Sequence, residues 1–351
     1  MLFYLDLVDE LLSVPNAALT SAISDLIRAH RLGHHLAIIT RPCASWLRDN
    51  LDLSRSDDAM VARIAQDYAQ TGDLHRRANI FIRLSAEPTL DLSINGNAIN
   101  VSIQRLVQYR LLDPAILLIE NMESDGGLYR LLLENNCHFH HCDCVAFELH
   151  HGGGADLPMV FGYLIADRRI VCGITDSDKH APTSSDRKLD QLAHIKETAN
   201  WPFCFPMSPP CREAENMIPF ELVMALPSGM RNPTNAVQLR IKREELARGV
   251  QVEDRYWNFF DIKEGLNPDR FERMLPEEGN WIRAKLEFSG VDPEQKSVTG
   301  YGDSVIRQIL DENKYVSELR NLTRHSSWRN VFSRFFDELV WVLAATPKII
   351  T

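Results

Sequence analysis

Acidic residues follow three short apolar segments in the middle of the chain. These segments, residues 115–119, 169–174 and 203–205, each predict a buried strand. The acids that follow them are Glu120, Asp176, Asp178, Glu213 and Glu215. Because functional groups of parallel sheets gather beyond the carboxyl ends of the strands, we expect these carboxylates to converge. Converging carboxylates repel each other unless a cation neutralises them, so the sequence predicts a Mg²⁺ or Mn²⁺ site.

The types and spacing of these residues suit the hydrolysis of a phosphodiester. Two-metal hydrolysis needs several carboxylates around ions that lie ~4 Å apart. In an extended backbone both side chains of Asp-x-Asp project the same way, so Asp176 and Asp178 are expected to bind one ion. Glu120 would bind a second ion or transfer a proton. One of the two glutamates after the third strand would complete that second site, and Arg212 beside them would stabilise charge on the scissile phosphate.

Residues 111–226 predict the elements that must position these side chains. Apolar strands alternate with helices, which is typical of a parallel sheet with helices on both faces. The expected strands are residues 115–119, 144–148, 169–174 and 203–205. The expected helices span about 126–135, 155–166, 185–199 and 215–226, with a tight turn at the three glycines 152–154.

The flanking regions are predicted as separate units. Residues 1–110 predict an α/β domain of unknown role, with a helix capped by Ser56 and a hairpin turn at residues 95–97. Residues 227–351 open with a stretch that contains proline and glycine, and they predict a mainly helical C-terminal region. Its last long helix, from about residue 328 to residue 343, carries an aromatic face for packing.

The composition narrows the class of protein. A chain of 351 residues, 45% of them hydrophobic, can bury two or three domain cores. It has no apolar run of the ~20 residues that a membrane helix needs and no basic start of a signal peptide, so no membrane partner is expected. Seven irregularly spaced cysteines favour a cytoplasmic location. A net charge of −10 argues against histone-like binding, and the lack of a GxxxxGK[ST] motif argues against an ATPase.

The order of the acidic groups resembles that of a TOPRIM domain, the fold shared by topoisomerases, primases and OLD-family nucleases. That family has a Glu after its first strand and an Asp-x-Asp after a later one, which Glu120 and residues 176–178 match. In OLD-type nucleases and related antiviral effectors, glycine and then an acid follow the first Glu. Here Asn121 replaces the glycine, and either Glu123 or Asp125 takes the place of that acid.

The run at residues 212–216 resembles the late acidic motif of the same nucleases, and the resemblance covers residues 111–226. It implies a Mg²⁺-dependent nuclease whose metal ligands are Glu120, Glu123, Asp125, Asp176, Asp178 and Glu215. Stand-alone TOPRIM nucleases often act as toxins of prokaryotic antiviral systems, so the resemblance also implies control by a separate ATPase. It leaves open whether the substrate is DNA or tRNA, and it leaves the oligomeric state open, a homo-oligomer included.

Residues 137–144, the Cys/His segment, support an alternative function. They contain three cysteines and three histidines, the side chains that bind Zn²⁺. The candidate ligands are Cys137, Cys142 and Cys144, although their spacing matches no standard zinc finger. On this hypothesis the chain is a zinc-stabilised nucleic-acid-binding, protein-binding or regulatory protein, and its TOPRIM-like domain is inactive.

Two other chemistries stay open. Cys211 could act as a nucleophile if the neighbouring Arg212 lowered the pKa of its thiol. Topoisomerase-like strand passage would need a nucleophilic tyrosine, for which Tyr256 and Tyr301 are available without a supporting motif.

Overall fold

The structure is a computed structural model that describes residues 1–6, 16–87, 90, 92–290 and 297–349. The fold contains two main sheets, and its fold class is α/β, as predicted. One contiguous hydrophobic core runs through both sheets into the last helix. No helix among the described residues combines the length and the apolar character that crossing a membrane requires.

The first sheet lies in the N-terminal part of the chain. Its strands are β1 (Leu2–Leu5), β2 (Leu36–Ile39), β3 (Phe81–Ser85), β4 (Leu92–Asn95) and β5 (Ala98–Ser102). They lie in the order β2-β1-β3-β5-β4, and every neighbouring pair is parallel except β4 with β5. The helices between them are α1 (Asn16–Arg31), α2 (Arg41–Asn50), α3 (Arg55–Thr71) and α4 (Leu74–Arg77).

Two local predictions for this region had different outcomes. The hairpin is confirmed, since β4 and β5 are antiparallel and Gly96 between them has a φ of 62°. The helix cap at Ser56 is wrong by two residues. Ser54 is the cap, because its hydroxyl accepts the backbone N–H of Asp57 at 3.2 Å and satisfies a donor of the first turn.

The second sheet carries the acidic residues. Its strands are β6 (Ile116–Ile119), β8 (Glu148–His151), β9 (Val171–Ile174) and β10 (Cys204–Met207), while β7 (Cys144–Val145) lies outside it. The order is β10-β9-β6-β8, and all neighbouring strands are parallel. Its helices are α5 (Met122–Cys137), α6 (Leu157–Ala166) and α7 (Arg187–Ala199), and α8 (Phe220–Ala225) follows β10 in the chain.

Helices cover both faces of this sheet, as predicted. A Cβ at Gly173 on β9 would lie 2.8 Å from the ring of Phe161 and 3.3 Å from Leu192, so α6 and α7 pack closely on that face. A Cβ at Gly126 on α5 would lie 2.3 Å from Leu149 on β8. Leu149 pairs with the residue before Leu118 on β6, and that residue pairs with the one before Gly173 on β9. Because successive residues of a strand point to opposite faces, Leu149 points to the face opposite that of Gly173.

Some predicted boundaries in this region are wrong. Helix α5 begins at Met122 rather than near residue 126, because the side chain of Asn121 caps the N–H groups of Glu123 and Ser124. The helix predicted over 215–226 is a 3₁₀ helix, Ala214–Met217, followed by the short α8. Pro219 separates the two, because its missing N–H cannot continue a helix.

The remaining elements are mostly helical. They are α9 (Thr234–Ala247), β11 (Gly265–Leu266), α10 (Pro268–Glu272), α11 (Pro276–Ser289), β12 (Val298–Thr299), α12 (Val305–Leu310), α13 (Asn313–Leu322), α14 (Ser326–Leu343) and β13 (Ala344–Ala345). The aromatic face predicted for α14 is buried, with Trp328, Phe332, Phe335 and Phe336 in the core. The domain boundaries predicted after residues 110 and 226 stay predictions.

The strand predicted over 144–148 is in fact two strands. β7 pairs with β13 near the C-terminus, whereas β8, further along the chain, joins the second sheet beside β6. β8 reads Glu-Leu-His-His and lies at the edge of the sheet. The strand was predicted from a run of apolar residues, and a polar edge strand has no such run, which explains the error.

Candidate functional site

The first two acidic groups meet because their strands are neighbours in register. β6 and β9 are parallel, and Ile119 pairs with Ile174, so both strands end at the same level. Glu120 follows one strand and Asp176 follows the other by two residues. The backbone N–H of Asp176 donates to Oε1 of Glu120 at 3.0 Å. Residues 56 positions apart in the chain therefore lie side by side.

Lys188 joins Asp178 to Glu120. Its Nζ lies 2.8 Å and 2.9 Å from the two carboxylate oxygens of Glu120, and 2.8 Å from Oδ2 of Asp178. Lys188 occupies the first turn of α7, where Asp186 caps the helix by accepting the N–H of Leu189 at 3.0 Å. Lys188 was not predicted as a site residue, although the helix cap at Asp186 predicts that it lies in the first turn of a helix.

The backbone of the Asp-Ser-Asp motif is not the extended one that was predicted. Asp178 has a φ of 52°, in the left-handed region. The segment turns because Ser177 Oγ donates to the carbonyl of Cys211 at 2.7 Å and the N–H of Asp178 donates to the carbonyl of Arg212 at 3.1 Å. Asp176 is half-buried, whereas the side chain of Asp178 is 52% exposed, so the two aspartates have different environments.

The third acidic group lies at the 3₁₀ helix that follows β10. Lys263, from the loop before β11, places its Nζ 3.0 Å from Glu215 Oε1 and 3.5 Å from Glu213 Oε2. Glu215 is 1% exposed, and its second oxygen, Oε2, is buried and has no hydrogen-bond partner among the residues that the structure describes. The sequence offered no signal for Lys263.

Arg212 is buried behind this group. Its Nε donates to Glu213 at 3.1 Å, one terminal nitrogen donates to Asp261 at 3.2 Å, and the other lies 2.9 Å from Nδ1 of His180. Burial and the charge of Arg212 lower the pKa of His180 to about 4, which keeps the ring neutral. Arg212 is thus engaged in holding Glu213 and Asp261, whereas the sequence predicted contact with a phosphate.

A cleft of about 620 Å³ opens among these elements. We call it the acidic cleft, and it is lined by Glu120, Asn121, Met122, Glu123, Ser124, Asp125, His151, Gly153, Gly154, Asp176 and Lys263. Lys263 connects it to Glu213 and Glu215. Candidate acids from all three groups are therefore in the cleft or one ion pair away from it.

Glu123 and Asp125, between which the sequence did not decide, both line the cleft but differ in burial. Glu123 is exposed, whereas Asp125 is 5% exposed. Burial, together with the charges of Glu215 and Glu120, raises the pKa of Asp125 to about 6, although a hydrogen bond from Ser124 and the charge of Lys263 oppose the rise. Of these two residues, Asp125 is therefore the one whose pKa is raised by burial and by neighbouring carboxylates.

Negative charge in the cleft is only partly compensated. Burial raises the pKa of Asp176 well above its usual range, and the charges of Glu120, Asp125, Glu213 and Glu215 add to that rise. Neither Asp125 nor Asp176 forms an ion pair with any residue that the structure describes. A divalent cation would lower the energy of these carboxylates, and oxygen ligands are those that Mg²⁺ prefers. The unpartnered Glu215 Oε2 also fits such an ion.

The carboxylates do not stand in a metal-ligand arrangement in this structure. Within the described ranges, no three or more His, Cys, Asp or Glu side chains are grouped so that they could hold a metal ion. The ammonium groups of Lys188 and Lys263 contact carboxylate oxygens that a cation would use. The predicted Mg²⁺ or Mn²⁺ site stays a prediction.

The thiols of the Cys/His segment make hydrogen bonds that are typical of protonated cysteines. Cys137 donates to the carbonyl of Glu134 at 3.0 Å, and Cys142 donates to the carbonyl of Cys144 at 3.0 Å. Burial raises the pKa of Cys137 to about 11 and that of Cys144 to about 12. Zinc binds thiolates, so zinc binding would have to remove these protons and break these hydrogen bonds. The zinc hypothesis stays a prediction.

The other candidate nucleophiles lie in the interior. The expectation that Arg212 lowers the pKa of Cys211 is wrong, because burial, followed by the charges of Asp176 and two glutamates, raises it well above its usual range. Tyr256 is buried, and the hydroxyl of the buried Tyr301 donates to Asn235 at 2.8 Å. Neither tyrosine is among the residues that line the acidic cleft.

Comparisons with known proteins add no relative. The chain matches no family model, no curated protein and no solved structure.

Proposed function

We propose that this chain is a metal-dependent nuclease, which hydrolyses phosphodiester bonds of nucleic acid at the acidic cleft of a TOPRIM-like domain. One observation carries the proposal: acids that follow two neighbouring strands of one parallel sheet line a single open cleft, and Lys263 links this cleft to the acids that follow a third strand. Six carboxyl groups belong to this acidic cluster, and they are Glu120, Asp125, Asp176, Asp178, Glu213 and Glu215.

The buried acids support a metal-dependent reaction. Asp125 and Asp176 have raised pKa values because they are buried near other carboxylates. Together with Glu120, Asp178 and Glu215 they would hold a divalent cation. Such an ion supplies Lewis-acid activation of a phosphate and of water.

The lysines would act on the substrate. Lys263 lines the cleft and keeps its positive charge, because although burial lowers its pKa, the charges of Glu215 and Glu213 raise it more. A fixed ammonium beside a bound phosphate stabilises the charge that develops on its oxygens. Glu120, which follows β6, would either bind the ion or accept a proton from an attacking water.

We extend the proposal to a cytoplasmic toxin of a prokaryotic antiviral system, controlled by a separate ATPase. The support for this role is the resemblance of the acidic motifs to those of stand-alone TOPRIM effectors. A gene for an ATPase beside this one would support it further.

The test is cleavage by the purified protein of supercoiled plasmid, linear DNA and total tRNA, each with Mg²⁺, Mn²⁺ or EDTA. We expect cleavage of at least one substrate with metal and none in EDTA. Asp176→Asn and Glu215→Gln keep the shape of the side chains and should each slow cleavage by about 100-fold, the scale of a lost acid–base group.

The matched control is Asp190→Asn, which removes an exposed acid from α7 outside the cleft lining. It should cleave at the parental rate. Cleavage that persists in EDTA, or an Asp176→Asn variant as active as the parent, would contradict the proposal. Thermal unfolding of each variant separates loss of chemistry from loss of fold.

A further inference from the structure

Lys188 is the ion-pair partner that two acidic groups share. Its Nζ contacts both oxygens of Glu120, which follows β6, and Oδ2 of Asp178, which follows β9. All three of these distances are 2.8–2.9 Å, so the ammonium fills the space between the carboxylates. A cation that used these oxygens would have to displace it.

The position of Lys188 allows such an exchange. The start of α7 fixes its backbone, since Asp186 caps the helix and also accepts a hydrogen bond from Ser208. The side chain itself is 36% exposed and has a long flexible stem. Its ammonium can leave the carboxylates without any movement of the sheet or helix.

We propose that Lys188 is a built-in counter-cation that competes with the divalent ion for Glu120 and Asp178, and so sets the metal concentration at which the site fills. This inference rests on the proposed function. When the divalent ion binds, its contacts with the carboxylates replace those of the ammonium. The ammonium keeps its proton throughout. Once displaced, the ammonium remains on the first turn of α7, next to the cleft, as a positive charge available to a phosphate.

The charge balance of the cluster supports this role. Burial lowers the pKa of Lys188, but the hydrogen bonds that its ammonium donates to Asp178 and Glu120 raise it more, so the side chain stays charged. The contacts of Lys188 differ from those of Lys263, which pairs with Glu213 and Glu215. Each lysine thus pairs with different acids, and Lys188 joins the acids that follow the two central strands.

The experiment is a calorimetric titration of Mn²⁺ into the metal-free full chain and into Lys188→Met. Removal of the competing ammonium should tighten Mn²⁺ binding about fivefold to tenfold, the scale of a partly exposed ion pair. Lys188→Arg keeps the charge and should bind close to the parental affinity. Lys196→Met is the matched control on α7, because Lys196 contacts the ring of Phe205 rather than an acid, and it should leave the affinity within twofold.

A second readout follows the lysine itself. Acylation of amines by an activated acetate ester, read by mass spectrometry, should modify Lys188 slowly without metal and faster in Mn²⁺, while Lys196 reacts at one rate. Equal or weaker Mn²⁺ binding by Lys188→Met overturns this inference alone. If no variant binds Mn²⁺, both this inference and the metal-dependent nuclease are wrong. Thermal unfolding checks that each variant is folded.

Discussion

The acidic cluster and the Cys/His segment both contain many candidate metal ligands, but the cluster gathers its groups from distant parts of the sequence, whereas those of the segment are neighbours in the chain. The acids come from positions 120 to 215, where Glu120 and Asp176 line one cleft and Lys263 links that cleft to Glu213 and Glu215. The cysteines lie within eight residues of each other, yet their thiols donate to nearby backbone carbonyls. The ends of neighbouring parallel strands therefore bring together acids that are far apart in the sequence.

The cause of this difference is the element that carries each group. Strands β6 and β9 end at the same level of one sheet, so the residues that follow them must be close. The Cys/His segment instead runs from the end of α5 through a short 3₁₀ helix into β7, which pairs with β13. One of its histidines, His140, lies 2.8 Å from Asp337 on α14.

The largest effect should come from the packing that aligns the strand ends. Gly173→Ala would force a Cβ to within 2.8 Å of Phe161, beneath the segment that carries Asp176. We expect it to lower the free energy of unfolding by about 3 kcal/mol, measured by urea denaturation, because overpacked cores relax poorly.

Gly162→Ala in the interior of α6 is the matched control. The nearest atom to its added Cβ would be a methyl group of Ile195 at 3.9 Å. Alanine favours a helix over glycine, so this variant should gain about 0.5–1 kcal/mol. If Gly173→Ala is as stable as the parent, close packing of α6 on β9 does not position the cluster.

A smaller effect should come from Asp125, through pH. Folding raises the pKa of this carboxyl from 3.8 to about 6, so the folded protein binds more protons than the unfolded chain between these values. Its contribution to stability is full below about pH 4 and is lost as the pH rises through about 6. At pH 8 without metal, Asp125→Asn should therefore be about 2 kcal/mol more stable than the parent, and at pH 4 the two should be equal.

Glu123→Gln is the control for this measurement, because Glu123 is exposed on the same turn of α5. Its stability should match that of the parent at both pH values. An Asp125→Asn variant that gains nothing at pH 8 would show that Asp125 is not held among uncompensated charges.

The smallest effect should come from the Cys/His segment. Cys144→Ser changes a half-buried side chain on β7 and keeps the carbonyl that accepts from Cys142. We expect the free energy of unfolding to change by less than about 0.5 kcal/mol, the range of substitutions outside the core. A zinc chelator should leave the melting temperature of the parent unchanged. Stoichiometric zinc in the purified protein, removed with a fall in melting temperature, would instead favour the zinc-stabilised alternative.

The sequence was most informative where a strong local pattern sufficed. Apolar runs predicted β6, β9 and β10, and the acids that follow them were read directly from the chain. Polar or interrupted segments were predicted less well. The edge strand β8 has no apolar alternation, and Pro219 divides what had been predicted as one helix.

The sequence by itself determined that strands of one α/β sheet would each be followed by acids. Only the tertiary structure decided that Asp125 is buried while Glu123 is exposed, and that Lys188 and Lys263 neutralise different acids. The physical reason is distance. Strand formation depends on residues that are neighbours in the sequence. The energy of a carboxylate depends instead on burial and on charges from distant parts of the sequence that the fold brings close. Lys188, for example, lies 68 positions from Glu120.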